Sequence, residues 1–185
     1  TWYAEFLDGS SPLEQACDAA TAEGRLQVGA AGNASDAGKH RLKIHAPNSV
    51  VAVPIEIPAG TRATYFNFNW QGNGQPAFQF TYAGVTYPVS GFTGQVVVGA
   101  QDVFAWDMST SSRGTRKMQF YLYHPNFSPL SESSASISVT TGPEAITLHG
   151  YIMDVETSWN RGAAFTADNN ENYLMGTPAT SDTTL

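Results

Sequence analysis

Charge is scarce in this chain. Only 14% of its 185 residues are Asp, Glu, Lys or Arg, against roughly a quarter in ordinary soluble domains. Lys and Arg number nine and are scattered, with Arg113, Arg116 and Lys117 forming only a small grouping, and the net charge is −7. A phosphate-binding face gathers many cations on one side, so this composition argues against nucleic acid and against anionic membrane surfaces as partners. Cysteine is almost missing. Cys17 stands alone, which excludes an intrachain disulfide and a cysteine-based zinc site. No apolar run approaches the roughly 18 residues of a membrane span. Neither a basic nor an apolar leader follows Thr1, as expected of a processed form, an excised domain or a product that has lost its initiator methionine.

Catalytic and metal-binding signatures are lacking too. No serine sits in a G-x-S-x-G elbow. His40, His45, His124 and His149 show neither H-x-H nor H-E-x-x-H spacing, so structural or surface roles are expected for them and no cofactor is implied. Asp154 and Glu156 are close enough along the chain to act as a carboxylate pair. On the strand reading below both point outward, where acids usually serve solubility. The sequence is therefore read as that of a protein that is not an enzyme.

What is present is a folded chain, 42% hydrophobic and rich in Asn, Gln, Ser, Thr and Gly. One helix is signalled at about residues 12–23. Ser11 caps it, Pro12 suits its first position, Glu14 completes an S-x-x-E capping box and Gly24 stops it. Leu13, Ala16, Cys17 and Ala20 form a narrow apolar stripe, on which Cys17 reads as a small buried hydrophobe.

Nearly everything else alternates with period two. Trp2, Ala4 and Phe6 share a face; Leu42 and Ile44 alternate with Arg41, Lys43 and His45. Val51, Val53, Ile55 and Ile57 line another strand, whose Pro54 suggests a sheet edge. Further sets are Phe104, Trp106 and Met108; Met118, Phe120 and Leu122; and Ile137 and Val139. Ile146 and Leu148 are out of phase with Tyr151, Met153 and Val155, and a β-bulge at Gly150 would bring both sets to the core. Turn residues separate these runs at the spacing of an all-β protein. The expected fold is a two-sheet β-sandwich or jelly roll of about eight to ten strands, formed by residues 1–161 with one short N-terminal helix. Residues 162–185 read as an extended polar C-terminal tail docking on its own or a neighbouring domain.

The densest aromatic stretch is residues 65–87. Phe66, Phe68 and Trp70 share one face, as do Phe78, Phe80 and Tyr82, and the two triplets are expected to pair as neighbouring strands in the core. "GNG" at residues 72–74 reads as a turn, because strand rather than helix follows it. Tyr65, Asn67, Asn69, Gln79 and Thr81 fall on the opposite faces, and Gln119, Tyr121 and Tyr123 form a similar set. Rings beside amides suit a sugar, whose C–H faces stack on the ring while its hydroxyls bond the amides.

Two functional readings follow. The leading one is a non-catalytic structural subunit of a self-assembling particle or filament, of viral capsid, decoration or tail type. Its partners would be other copies of itself or other coat subunits, and its place a virion surface or the extracellular space. The alternative is an extracellular carbohydrate-binding module using Tyr65, Asn67, Asn69, Gln79, Tyr121 and Tyr123. Asp168, Asn170 and Glu171 place oxygen ligands at short intervals, as calcium prefers, but without an EF-hand's spacing, and a metal-free polar loop is the plainer reading. Asn33 and Asn126 head N-x-S sequons that matter only in a eukaryotic secretory setting.

Overall fold

Eleven strands and one helix appear in the computed structural model, which is described for residues 5–26, 37–154 and 162–169. The helix α1 (Pro12–Ala22) precedes β1 (His40–His45), β2 (Val50–Glu56), β3 (Ala63–Trp70), β4 (Ala77–Tyr82) and β5 (Val85–Val89). Then follow β6 (Thr93–Val98), β7 (Asp102–Thr110), β8 (Arg116–Tyr123), β9 (Ser134–Thr140), β10 (Ile146–Asp154) and the two-residue β11 (Ala164–Phe165). One sheet has the order β1-β10-β3-β8-β7-β6 and the other β11-β2-β9-β4-β5, and every pairing is antiparallel.

Strands β1-β10-β3-β8 and β2-β9-β4-β5 interleave along the chain as the two sheets of a jelly roll. The β6–β7 hairpin widens the first sheet, and β11 extends the second. The fold expectation is met: an all-β sandwich with one short helix.

The core lies between the sheets and is largely aromatic. Phe66, Phe68, Phe80, Phe104 and Phe120 are all at most 1% exposed, and burying each such ring stabilises the fold by roughly 1.5–3 kcal/mol. The Phe80 and Phe104 rings stack at 3.8 Å. The pairing expected of β3 with β4 is corrected here. These strands belong to opposite sheets, so their triplets meet face to face across the core, as in Phe68 against Phe78 at 5.8 Å. The chain crosses from one sheet to the other within the "QGNGQ" connection.

Two other local expectations change. No bulge interrupts β10: its register is continuous against both β1 and β3. Ile146, Leu148, Gly150 and Ile152 consequently face the core, and Tyr151 and Met153 face outward. Gly150 is the residue that allows this, because a Cβ there would fall 2.8 Å from Arg41 Cγ and 2.9 Å from Phe68 Cε1.

On α1 the capping box forms as expected, with the Glu14 amide donating to Ser11 Oγ and the Ser11 amide to Glu14 Oε2. Its apolar stripe is not the buried face, however. Leu13 is 52% exposed and Cys17 half-buried, whereas Glu14 is fully buried. Trp2, Ala4, Val155 and residues 170–185 lie outside the described residues.

Candidate functional site on the outer face of the six-stranded sheet

The alternation that sends phenylalanines inward sends polar and aromatic residues to the outer face of β10, β3 and β8. Strand register sets His40, Tyr151, Asn67 and Gln119 in one row and Leu42, His149, Asn69 and Lys117 in the next. His40 Nε2 and His149 Nδ1 are 3.2 Å apart, and the His40 ring lies 4.6 Å from that of Tyr151. Burial pushes the His149 imidazole below its ordinary pKa.

The N-terminal segment runs over part of this face. Asn69 Nδ2 donates to the carbonyls of Glu5 and Phe6 at 3.2 and 3.0 Å, and Lys117 Nζ sits 4.8 Å above the Phe6 ring. Asp8 anchors the next step, accepting from Ser111 Oγ at 2.6 Å and from the Ser10 amide at 3.1 Å. Burial raises the Asp8 pKa, but hydrogen bonds from Ser10, Ser111 and Thr115 outweigh it and hold the carboxyl below its usual range. Between segment and sheet lies a cleft of about 540 Å³, lined by Phe6, Asp8, Gln71, Thr147, His149 and Tyr151 among others. That size suits a small ligand or a few residues of peptide.

The residues expected to form a glycan platform do not assemble into one. Tyr65, Tyr121 and Tyr123 do form a ladder on β3 and β8, with rings stacked at 4.1 and 4.5 Å. Asn67 and Asn69 are buried, and their amides are engaged with each other and with the N-terminal backbone. Gln79 lies on β4, in the other sheet, on the far side of the molecule with Thr81. Parity groups residues within one strand, but it does not say which strands share a sheet.

Asp168, the first of the calcium candidates, is engaged by cationic side chains. Its carboxylate accepts from Arg41 Nη2 at 2.9 Å and from Lys43 Nζ at 2.9 and 3.1 Å. A carboxylate neutralised by two cations has little left for a metal ion. Asn170 and Glu171 lie outside the described residues, and no cluster of three metal-binding side chains occurs among the described ones. Asp154 ends β10, while Glu156 is outside the description.

Two polar clusters were missed by sequence reasoning, and both centre on buried side chains. Asp102 Oδ2 accepts from Tyr82 Oη at 2.8 Å, from the Ser131 amide at 2.9 Å and from Ser131 Oγ at 2.6 Å. Burial, the largest cause, pushes the Tyr82 phenol up to about 12. The second cluster is on β1, where Arg41 and His45 point inward and are 0% and 1% exposed. Only hydrogen-bonding capacity at buried positions marks them, and alternation does not report burial.

Neither a protein family nor a curated protein matches this chain. A solved structure does: the CspB protease of Clostridium perfringens, with a TM-score of 0.78 over 98% of this chain at 15% identity. What the two share is the fold. The chain spans 38% of that protein's length. This match corrects two expectations, that of a non-catalytic particle subunit and that of a protein that is not an enzyme, because a protein carrying the same fold is a protease. The glycan-module alternative falls with it, since its platform is split between two sheets and partly buried.

Proposed function

We propose that this chain is the jelly-roll domain of a proteolytic enzyme. The observation that carries the reading is the match of nearly the whole chain, 98%, to a domain-sized 38% of a protease. Acyl transfer to a protein nucleophile needs a hydroxyl or thiol within hydrogen-bond reach of a base. The contacts seen at His40, His149 and His124 are not of that kind: His40 Nε2 lies 3.2 Å from His149 Nδ1, and His124 Nδ1 accepts from the Asn126 amide. In this proposal the sandwich has a supporting part and peptide-bond chemistry belongs to the rest of the enzyme. The sandwich supplies a rigid aromatic core and an outer cleft beside His149 and Tyr151 that suits a segment of polypeptide.

The complete open reading frame containing these residues tests the proposal. Its product should hydrolyse casein, and deleting the sandwich should lower the temperature at which that activity is lost. A full-length product that leaves both casein and a mixed peptide library intact overturns it.

A further inference from the structure

Strand β1 is built inside out. Ile44 is 71% exposed, while Arg41 and His45, on the other face, are buried and Lys43 is half-buried between them. Buried charge is costly unless it is paired, and among the described residues a single acid does the pairing. Asp168 follows β11 and adopts a left-handed backbone (φ 55), and from there its carboxylate bridges Arg41 and Lys43. Its backbone carbonyl accepts from the Leu42 amide at 3.3 Å, and Asn169 forms an isolated bridge with Arg41.

The same segment grips both sheets. The Phe165 amide donates to Gly38 O at 2.8 Å and the Thr166 amide to Pro54 O at 3.2 Å, while Lys39 Nζ donates to the Ala163 carbonyl. The Phe165 ring lies 6.0 Å from the Arg41 guanidinium carbon, over the space left by Gly150. Residues 163–169 thus close the edge of the sandwich between β1 of one sheet and β2 of the other.

We propose that residues 163–169 form an acid-released clasp, held shut at neutral pH by the Asp168 carboxylate across Arg41 and Lys43, and opened when that carboxylate and the His45 imidazole take up protons. Among the described residues, the charged and titratable groups around Asp168 are Arg41, Lys43 and His45 on β1, Lys39 just before it, and the exposed Glu56 on β2 opposite Ala164. Of the inward-facing groups on β1 and Asp168, only Asp168 is anionic.

The balance is lopsided. Arg41 Nε and Nη1 and both His45 ring nitrogens are buried without a hydrogen-bond partner. In acid the cluster loses the Asp168 carboxylate and gains an imidazolium beside two fixed cations. Burial, with Arg41 and Lys43 next, already holds His45 down at about 4. Repulsion then acts where the clasp crosses from sheet to sheet, and residues 163–169 are released from the edge.

The test is hydrogen exchange by mass spectrometry on the intact chain from pH 7 to about pH 2, below the lowered Asp168 pKa, with intrinsic rates corrected. Protection of the Phe165 and Thr166 amides should fall at least about tenfold, leaving β3 and β8 amides about a hundredfold better protected, as in sub-global opening. Asp168→Asn should show the low clasp protection already at pH 7. Clasp amides that keep their protection to about pH 2 overturn the proposal. So does loss that brings clasp and β3 amides to one level, which is global unfolding. If Asp168→Asn fails to fold, the wild-type profile decides alone.

Discussion

Gly150 shows how little space the interior leaves for a single atom. An added Cβ would meet Arg41 Cγ, Phe68 Cε1 and Phe165 Cζ at 2.8, 2.9 and 3.0 Å, all of them side chains held by the core or by the clasp. Gly150→Ala is expected to destabilise the chain by about 1–3 kcal/mol, as overpacked cores do, read as a lowered urea midpoint at unchanged slope. The same residue marks a limit of sequence reasoning. A glycine between two apolar sets out of phase reads equally well as a bulge or as room for a neighbour's side chain, and only the buried guanidinium opposite decides between them. The six aromatics of residues 66–82 were legible because alternating large rings have nowhere to go but inward.

Among the elements, α1 was the most legible, because its signals are local. Ser11, Pro12 and Glu14 act on backbone within a few residues. Ser11→Ala should remove the cap, costing about 1 kcal/mol, and hydrogen exchange across residues 12–22 should then rise roughly fivefold while the strands are unaffected. Strand β1 was the least legible. Its alternation was plain, but alternation says which residues share a face and not which face is buried. At a sheet edge closed by a distant acid the charged face turned in, because Asp168, far along the chain, supplies the partner. The glycan platform failed for a related reason: Gln79 and Asn67 have matching chemistry, but the connection between their strands crosses between sheets.

For the whole molecule, acidity is the expected weakness. Burial and the neighbouring cations push His45 down to about 4 from an ordinary 6.5, so its neutral form is favoured by folding. That contribution is complete above pH 6.5 and is lost as pH falls towards 4. The Asp168 carboxyl is lowered as well, first by its hydrogen bond from Lys43, so its contribution is present above the ordinary carboxylate pKa and vanishes below the lowered one. Both losses run the same way. Urea unfolding should show stability falling by up to ~3 kcal/mol between pH 6.5 and pH 4, and His45→Leu should flatten that slope. A pH-independent midpoint in the wild type would contradict the assignment.

The amino-acid order by itself determined the all-β class, the capped helix and the aromatic core, since these rest on periodicity and on interactions within a few residues. Tertiary structure alone decided which strands share a sheet, which face of β1 is buried, and that Asp168 closes the sandwich edge. Those outcomes depend on partners brought together from more than a hundred residues away, such as Arg41 and Asp168, and no local pattern encodes such a meeting.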